Sequence, residues 1–247
     1  MANLVIDIGN TFTKIALFNN DELQFAHHYA TVDDQLINDF LDKYPVQKAI
    51  ISSVKPNREP WQSTLATKIR LVYFNTGMTL PIRNHYLTPQ TLGLDRLAAV
   101  NGARYLFPAE NNLVIDGGTC ITYDFVDSEG NYFGGSISPG LSMRYNALNY
   151  FTAGLPVVQT DENFDSSYGN NTISAMQSGV QNGIKYELTG FIEDYIKNKQ
   201  QLNIILTGGD GIFFDTLLKN SIFAPYIKNE PNLVLKGLNA AIQQHND

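Results

Sequence analysis

Asn3-Leu4-Val5-Ile6-Asp7-Ile8-Gly9-Asn10-Thr11 opens the chain, and Asn112-Leu113-Val114-Ile115-Asp116-Gly117-Gly118-Thr119 opens its second half. The first five residues of the two stretches are identical. In each, a short apolar run of the kind that makes a buried strand ends in aspartate, glycine and then threonine. Each threonine leads into another apolar-rich run, Ile15-Ala16-Leu17-Phe18 or Ile121-Thr122-Tyr123-Asp124-Phe125-Val126. The phrase reads as strand, acidic-glycine turn, strand, written twice. Repetition of this kind reflects repeated structure. The expected fold is therefore α/β and duplicated, with two lobes and the chemistry in the cleft between them.

The 247 residues suffice for two lobes of about 110–140 residues each. Pro108 closes a helical pattern that begins at Leu94, so the best boundary lies at 109–112. It divides the chain into lobes 1–110 and 111–247. Between the repeats, helical spacing is expected over 33–43, 61–70 and 94–107, and short strands over 49–54 and 71–74. Pro81 and Pro89 mark 76–92 as loop. In the second half, strands are expected at 112–116, 120–126, 131–135 and 203–207. A glycine-rich loop, Gly134-Gly135-Ser136-Ile137-Ser138-Pro139-Gly140, leads into a helix from Leu141. Residues 155–171 read as irregular. Ile173, Met176, Val180, Ile184, Leu188, Phe191 and Tyr195 fall three or four apart and predict one long helix over 172–197. A last helix is expected over 232–244.

Composition narrows the function. Lys and Arg number 17 against 24 Asp and Glu, a net charge of −7. Phosphate neutralisation along a nucleic acid needs clustered cations, so a nucleic-acid partner is not expected. A single nucleotide is still compatible, because backbone N–H groups and a metal ion can hold a triphosphate. Cys120 stands alone and makes no internal disulfide, which fits a reducing, cytoplasmic setting. No Lys or Arg precedes the first apolar run, so no secretory signal is read. No run approaches about 18 apolar residues, so no membrane span is expected.

The turns carry the chemistry. Glycine at Gly9, and at Gly117 and Gly118, lets backbone N–H groups approach a phosphate. Thr11 and Thr119 add hydroxyls, and Lys14 adds charge. Asp7, at a strand end, suits Mg²⁺ held through water, because that ion keeps most of its hydration and takes one or two carboxylates. Gly93-Leu94-Asp95-Arg96 sits at a helix start, where Asp95 is either a cap or a general base. Arg96 beside it suits an anionic group. Gly208-Gly209-Asp210 ends a buried strand and is either a nucleotide contact or a plain turn. Gly179 and Gly183 are spaced for close packing, in the core or against a second subunit. The four histidines show no metal spacing, and Cys120 reads as a small buried hydrophobe.

The ordered set Asp7-x-Gly-Asn-Thr-x-x-Lys14, Gly93-x-Asp-Arg96, Asp116-Gly-Gly-Thr119, Gly134-Gly-x-Ile-x-Pro-Gly140, Gly169-Asn-Asn-Thr172 and Gly208-Gly-Asp210 resembles type III pantothenate kinase. The resemblance implies the ribonuclease H-like, actin-like fold and ATP-dependent phosphorylation of pantothenate, the first step of coenzyme A synthesis. It implies a divalent ion such as Mg²⁺, a monovalent cation (K⁺ or NH₄⁺) and a homodimer. By the matching motifs, Asp7, Ile8, Gly9, Asn10, Thr11, Phe12, Thr13 and Lys14 form the first ATP loop, and Thr119 touches ATP from the second. Asp116 coordinates the monovalent cation, and Asp95 is the base. Tyr86, Gly93, Leu94, Asp95, Arg96 and Thr172 contact pantothenate. Many relatives have another small residue at position 120, which implies only a packing change here.

Three other readings share parts of this pattern. An ATP-driven machine of the actin or chaperone kind would share both turns but should carry large insertions. A non-catalytic accessory factor of the same fold would bind nucleotide without turnover. A kinase for another small hydroxy acid would share the Asp95-Arg96 pair.

Overall fold

The structure is a computed structural model that describes residues 2–55, 57–197 and 201–245. The chain begins with three strands, β1 (Ala2–Ile8), β2 (Thr13–Asn19) and β3 (Glu22–Tyr29). Helix α1 (Asp34–Lys43), β4 (Val46–Ser53), α2 (Pro60–Lys68) and β5 (Arg70–Tyr73) follow. A two-residue strand β6 (Arg83–Asn84) precedes α3 (Leu94–Leu106). The second repeat supplies β7 (Asn112–Gly117), β8 (Cys120–Val126) and β9 (Asn131–Pro139), then α4 (Leu141–Tyr150). Helices α5 (Thr172–Gln177) and α6 (Gly183–Lys197) are joined by a π-helical turn over Ser178–Asn182. The last elements are β10 (Asn203–Gly208), α7 (Gly211–Leu218), β11 (Ile227–Asn229) and α8 (Leu233–Gln244).

Two units arise. The first gathers the chain through Ala109, the segment Gly130–Phe133 and everything from Asn232 onward. The second gathers Glu110–Glu129 and Gly134–Pro231.

In the first unit the strand order is β3-β2-β1-β4-β5. β1 and β2 form an antiparallel hairpin, and β4 and β5 add parallel to β1. Alternation sends Leu4, Ile6 and Ile8 to one face, where they meet Ile37 and Phe40 of α1 and Trp61 and Leu65 of α2. Fully burying each such side chain stabilises the unit by about 1.5–3 kcal/mol. The opposite face carries Asn3, whose Nδ2 donates to Asn239 Oδ1 of α8 at 3.0 Å. α3 and α8 cross with almost no space between them. A Cβ at Gly102 would lie 2.5 Å from the Leu233 carbonyl, and one at Gly237 would overlap the Ala98 carbonyl. At its start α1 is capped by Asp33, whose Oδ1 accepts from Leu36 N–H at 2.8 Å.

The second unit repeats the plan, with strand order β9-β8-β7-β10-β11. β7 and β8 are antiparallel, and β10 and β11 add parallel to β7. Leu113, Ile115, Ile204 and Leu206 face the apolar stripe Ile184, Leu188 and Ile192 of α6, together with Phe213, Phe214 and Leu218 of α7. Leu113 and Ile115 thus repeat the inward positions of Leu4 and Ile6. Asp116 repeats the position of Asp7.

Several expectations need correction. Gly134–Pro139 is the end of a strand rather than a loop, because its backbone runs directly against β8. A Cβ at Gly135 would overlap the Tyr123 carbonyl, so only glycine allows that approach. Strand β4 begins earlier than the expected 49–54, at Val46, and closes at Ser53. Strands β3, β6 and β11 and helix α7 lay outside the expected elements. The region 155–171 is irregular, but it is tied down. Gln181, fully buried in the π turn, accepts from Tyr145 OH at 2.9 Å and Asp161 N–H at 3.1 Å. Its Nε2 donates back to the Asp161 carbonyl at 2.8 Å. Gly179 and Gly183 do not serve packing within this chain, since a Cβ at either would meet nothing within 4 Å. Among the described residues, no helix is long and apolar enough to cross a membrane.

Candidate active site

The first turn follows from the β1–β2 hairpin. Ile8 pairs with Thr13, so residues 9–12 must reverse the chain. Gly9 N–H donates to the Phe12 carbonyl at 3.1 Å, and a Cβ at Gly9 would press on that oxygen at 3.2 Å. Asn10, Thr11 and Phe12 project into solvent, and Thr13 is buried. Asp7 stands directly opposite Lys14. Asp7 is only 7% exposed. Ser52 is its register partner on β4, a fully buried hydroxyl without a hydrogen-bond partner. Lys14 also pairs across the sheet with His28. Partial burial, and then the charges of Lys14 and His27, hold the His28 imidazole below its usual pKa. The mouth of this turn therefore carries a lysine charge beside a histidine biased to neutrality.

The start of α3 presents the second group. Gly93 precedes the helix, and Asp95 lies in its first turn. Asp95 Oδ1 accepts from Arg96 N–H at 2.8 Å. A Cβ at Gly93 would lie 2.5 Å from that same oxygen, so glycine here leaves room for the carboxylate. Arg96 is almost fully buried, and its guanidinium carbon lies 5.8 Å from the Tyr86 ring centroid. Tyr86 is itself fixed by its N–H, which donates to Asn84 Oδ1 at 3.0 Å. Tyr86 and Arg96, which the sequence motifs name separately, are thus brought together within the first unit.

In the second unit the parallel strands β7 and β10 end side by side, with Asp116 opposite Thr207 and Gly117 opposite Gly208. Gly208 has φ +82, a conformation that favours glycine. A Cβ there would overlap Asp116 Oδ1 and the Gly117 carbonyl. Asp210 N–H donates to the Gly117 carbonyl at 3.0 Å. Burial alone raises the Asp210 carboxyl above its usual pKa. Gly140 N–H donates to the Thr119 carbonyl at 3.1 Å, and a Cβ at Gly140 would overlap the carbonyls of Gly118 and Thr119. Three glycine motifs, 117–118, 134–140 and 208–209, therefore build one cradle at the C-terminal ends of parallel strands, where open α/β sheets bind ligands.

Thr172 begins α5 and is exposed. Asn171 Oδ1 accepts from Ser174 N–H at 2.9 Å, while Asn171 N–H donates to Ser174 Oγ at 3.2 Å, a reciprocal cap. Gly169 lets the chain run against the backbone of Ser174 and Ala175. The motif Gly169 to Thr172 is therefore a built helix entry.

Two features were not singled out from the sequence as site components. One is the Asp210 backbone amide, which joins the second turn. The other is the cluster of Tyr123, Ser138, Arg144 and Glu187. Glu187 had a readable signal, since it lies three residues after Ile184 and four before Phe191, on the apolar side of a helix.

The family profile of type III pantothenate kinase matches residues 3–196. A type III pantothenate kinase of Bacteroides fragilis (strain YCH46) is 42% identical over 245 residues, covering 99% of this chain and 98% of that one. Among solved structures, a candidate Baf family transcriptional activator from Campylobacter jejuni has a TM-score of 0.59 at 24% identity, covering 98% of each chain. A candidate 2-dehydro-3-deoxygalactonokinase from Sinorhizobium meliloti also has a TM-score of 0.59, at 13% identity, covering 99% of each chain. At such identities these likenesses carry the fold alone, a duplicated ribonuclease H-like arrangement.

Proposed function

The chain belongs to the type III pantothenate kinase family, and on that premise we propose which of its groups perform each part of the reaction. The enzyme transfers the γ-phosphoryl group of ATP to pantothenate, giving 4'-phosphopantothenate, the first step of coenzyme A synthesis. The observation that carries the residue assignment is the repeated frame. Asp7 and Asp116 end equivalent strands, and each is followed by a glycine turn.

In this reading the amides and hydroxyls of residues 8–13 and the Lys14 ammonium hold the ATP phosphates from the first turn. Thr119 holds them from the second. Tyr86, Gly93, Leu94, Arg96 and Thr172 bind pantothenate, with Arg96 on an anionic group. Asp95 accepts the proton of the primary hydroxyl as its oxygen attacks the γ-phosphorus. The bond from that phosphorus to the β-bridging oxygen breaks, and ADP leaves. Such transfers need positioning, neutralisation of the phosphate charge and a base, and little covalent chemistry.

The donor set suits a hydrated divalent ion. Asp7 offers a hard carboxylate oxygen beside the orphan Ser52 hydroxyl. Among the described residues no group of three or more His, Cys, Asp or Glu side chains makes a cage. Mg²⁺ keeps most of its water and leans on substrate phosphates, so one protein carboxylate can suffice. When bound, the ion neutralises charge on the phosphates. For the monovalent cation, Asp116 offers a carboxylate oxygen against Gly208 at the crowded end of β7 and β10.

The direct test incubates purified enzyme with Mg-ATP and pantothenate, in K⁺ and then in Na⁺, and detects phosphopantothenate by mass spectrometry. Product is expected in K⁺ and should fade in Na⁺. Equal turnover in both salts would remove the cation from Asp116. Absence of product in both, with ATP still bound, would favour another hydroxy acid or an accessory role.

We also assign the subunit contact of a cytoplasmic homodimer to the second unit. Tyr150 and Phe151 are 81% and 80% exposed, beside an apolar groove of about 490 Å³ lined by Ala147, Leu148, Gly179 and Val180. A second copy would cover this surface and the open side of Gly179. Phe151→Asp is expected to sediment as a monomer where the unaltered protein sediments as a dimer. An unaltered protein that is monomeric at assay concentration would remove this assignment.

A further inference from the structure

Glu187 lies on α6, outside every motif of the site, yet its carboxylate collects three partners. Ser138 Oγ donates to Oε1 at 2.5 Å and Tyr123 OH to the same oxygen at 2.8 Å. Arg144 Nη2 lies 2.5 Å from Oε2. Arg144 Nε also donates to the Pro139 carbonyl at 2.8 Å. Both side chains are about one-fifth exposed, so solvent screens the pair only in part. Burial pushes the Glu187 carboxyl up, but the bonds from Ser138, Arg144 and Tyr123, and the Arg144 charge, outweigh it. The net effect holds the group below its usual pKa, ionised at neutral pH. Tyr123 moves the other way, pushed up by burial and by the Glu187 bond and charge.

The position of this cluster gives it a use. Ser138 and Pro139 end β9, and Gly140 begins the next helix. Gly140 N–H holds the Thr119 carbonyl, and its Cα surface leaves no space against Gly118 and Thr119. The helix side of this junction is held by the core, since Leu141 and Tyr145 are buried in it, but on the strand side Ser138 is polar and Ile137 is 61% exposed, so no apolar anchor fixes Ser138 and Pro139. The charged clamp supplies that restraint from the side of α6.

We infer that Glu187, with Arg144, is a positioning residue for the second nucleotide turn: it anchors Ser138 and Pro139 so that Gly140 holds Thr119 in place. The inference rests on the reading that Thr119 touches ATP. Glu187 itself touches no substrate. Loss of the clamp should therefore weaken ATP use while leaving pantothenate use unchanged.

The test compares Glu187→Gln, Ser138→Ala and Thr119→Ala in full kinetics for both substrates, with melting temperatures alongside. Gln keeps the size and an acceptor for Ser138 and Tyr123 but loses the charge that holds Arg144. Glu187→Gln is expected to raise KM for ATP about tenfold, the scale of one lost charge-assisted hydrogen bond, with KM for pantothenate and kcat moving far less. Ser138→Ala, which removes the hydroxyl's bonds to Glu187 and Arg144 but leaves the ion pair, should move KM for ATP in the same direction and covers the case in which Glu187→Gln fails to fold. Glu187→Asp, which restores the charge, should recover part of the loss. If Thr119→Ala raises KM for ATP and Glu187→Gln does not, positioning by Glu187 is overturned. A lower melting temperature with both KM values rising together would reduce the clamp to a structural role and overturn it too. If Thr119→Ala leaves KM for ATP unchanged, the nucleotide reading of the turn itself fails, and the inference falls with it.

Discussion

Asp95→Asn should keep ATP binding and lower kcat by about 10²–10⁴-fold, the usual contribution of a positioned general base. The substitution is nearly isosteric. Asp95 Oδ1 accepts from Arg96 N–H at 2.8 Å, and an amide oxygen can accept the same bond, so the first turn of α3 should keep its shape. Arg96 should also keep its place, because it is held beside Tyr86 from its own buried position. Only the capacity to take a proton is lost. Nucleotide affinity, measured by equilibrium titration without pantothenate, should therefore match the unaltered enzyme, and the melting temperature should shift little. Steady-state turnover under saturating ATP and pantothenate reads the base directly. A near-normal kcat would remove Asp95 from that role and leave it as a helix-start residue, the alternative that its position alone permits. Loss of ATP binding together with turnover would show that the carboxylate holds the site together rather than accepting a proton.

What the sequence disclosed was whatever is encoded locally. The two β-hairpins with acidic-glycine turns were legible because an apolar run, a glycine and a second apolar run are neighbours in the chain. The repeated strand order follows from them, since β1 and β7 occupy the same central place in their sheets. Edge elements were harder. β3 alternates half-buried and exposed positions and carries His27 and His28, so it lacks the apolar run that marks a central strand. Helix α7 reads Gly-Ile-Phe-Phe-Asp-Thr-Leu-Leu, short and apolar on most sides, and Asp210 at its start makes no side-chain cap hydrogen bond. The glycines of 134–140 suggested a loop because glycine usually marks one. Here Gly134 has φ +111 and Gly135 passes against the Tyr123 backbone, so the residues serve a strand under crowding. The site divides the same way. Asp7 with Lys14, and Asp95 with Arg96, are close in sequence. The meeting of Gly117 with Asp210, and of Ser138 with Glu187, depends on contacts across the second unit that no local pattern carries.

Gly208→Ala is expected to be strongly damaging, and Gly209→Ala, one residue on, nearly silent. The motif treats the two glycines alike, but the backbone does not. Gly208 has φ +82, and the added Cβ would fall on Asp116 Oδ1 and the Gly117 carbonyl. Gly209 has no positive φ, and a Cβ there meets nothing within 4 Å. Holding a side-chain-bearing residue in the left-handed region costs about 1–2 kcal/mol. The clash is worse, because its partners include a backbone carbonyl that cannot swing away like the end of a flexible chain. Either the end of β10 withdraws from β7, or the Asp116 carboxylate rotates out of its place. Both movements displace groups assigned to the monovalent cation and to the nucleotide turn, and a misplacement of about 1 Å in such a site costs on the order of 10²-fold in rate. The expected result for Gly208→Ala is a lower melting temperature, a fall of about that size in kcat/KM for ATP, and a weakened response to K⁺. Gly209→Ala should differ from the unaltered enzyme by less than about 0.5 kcal/mol in stability, as surface substitutions away from special geometry do. Equal and small effects of the two would show that the crowding at Gly208 relaxes freely. A large effect of both would instead place the Gly209 surface itself against the nucleotide.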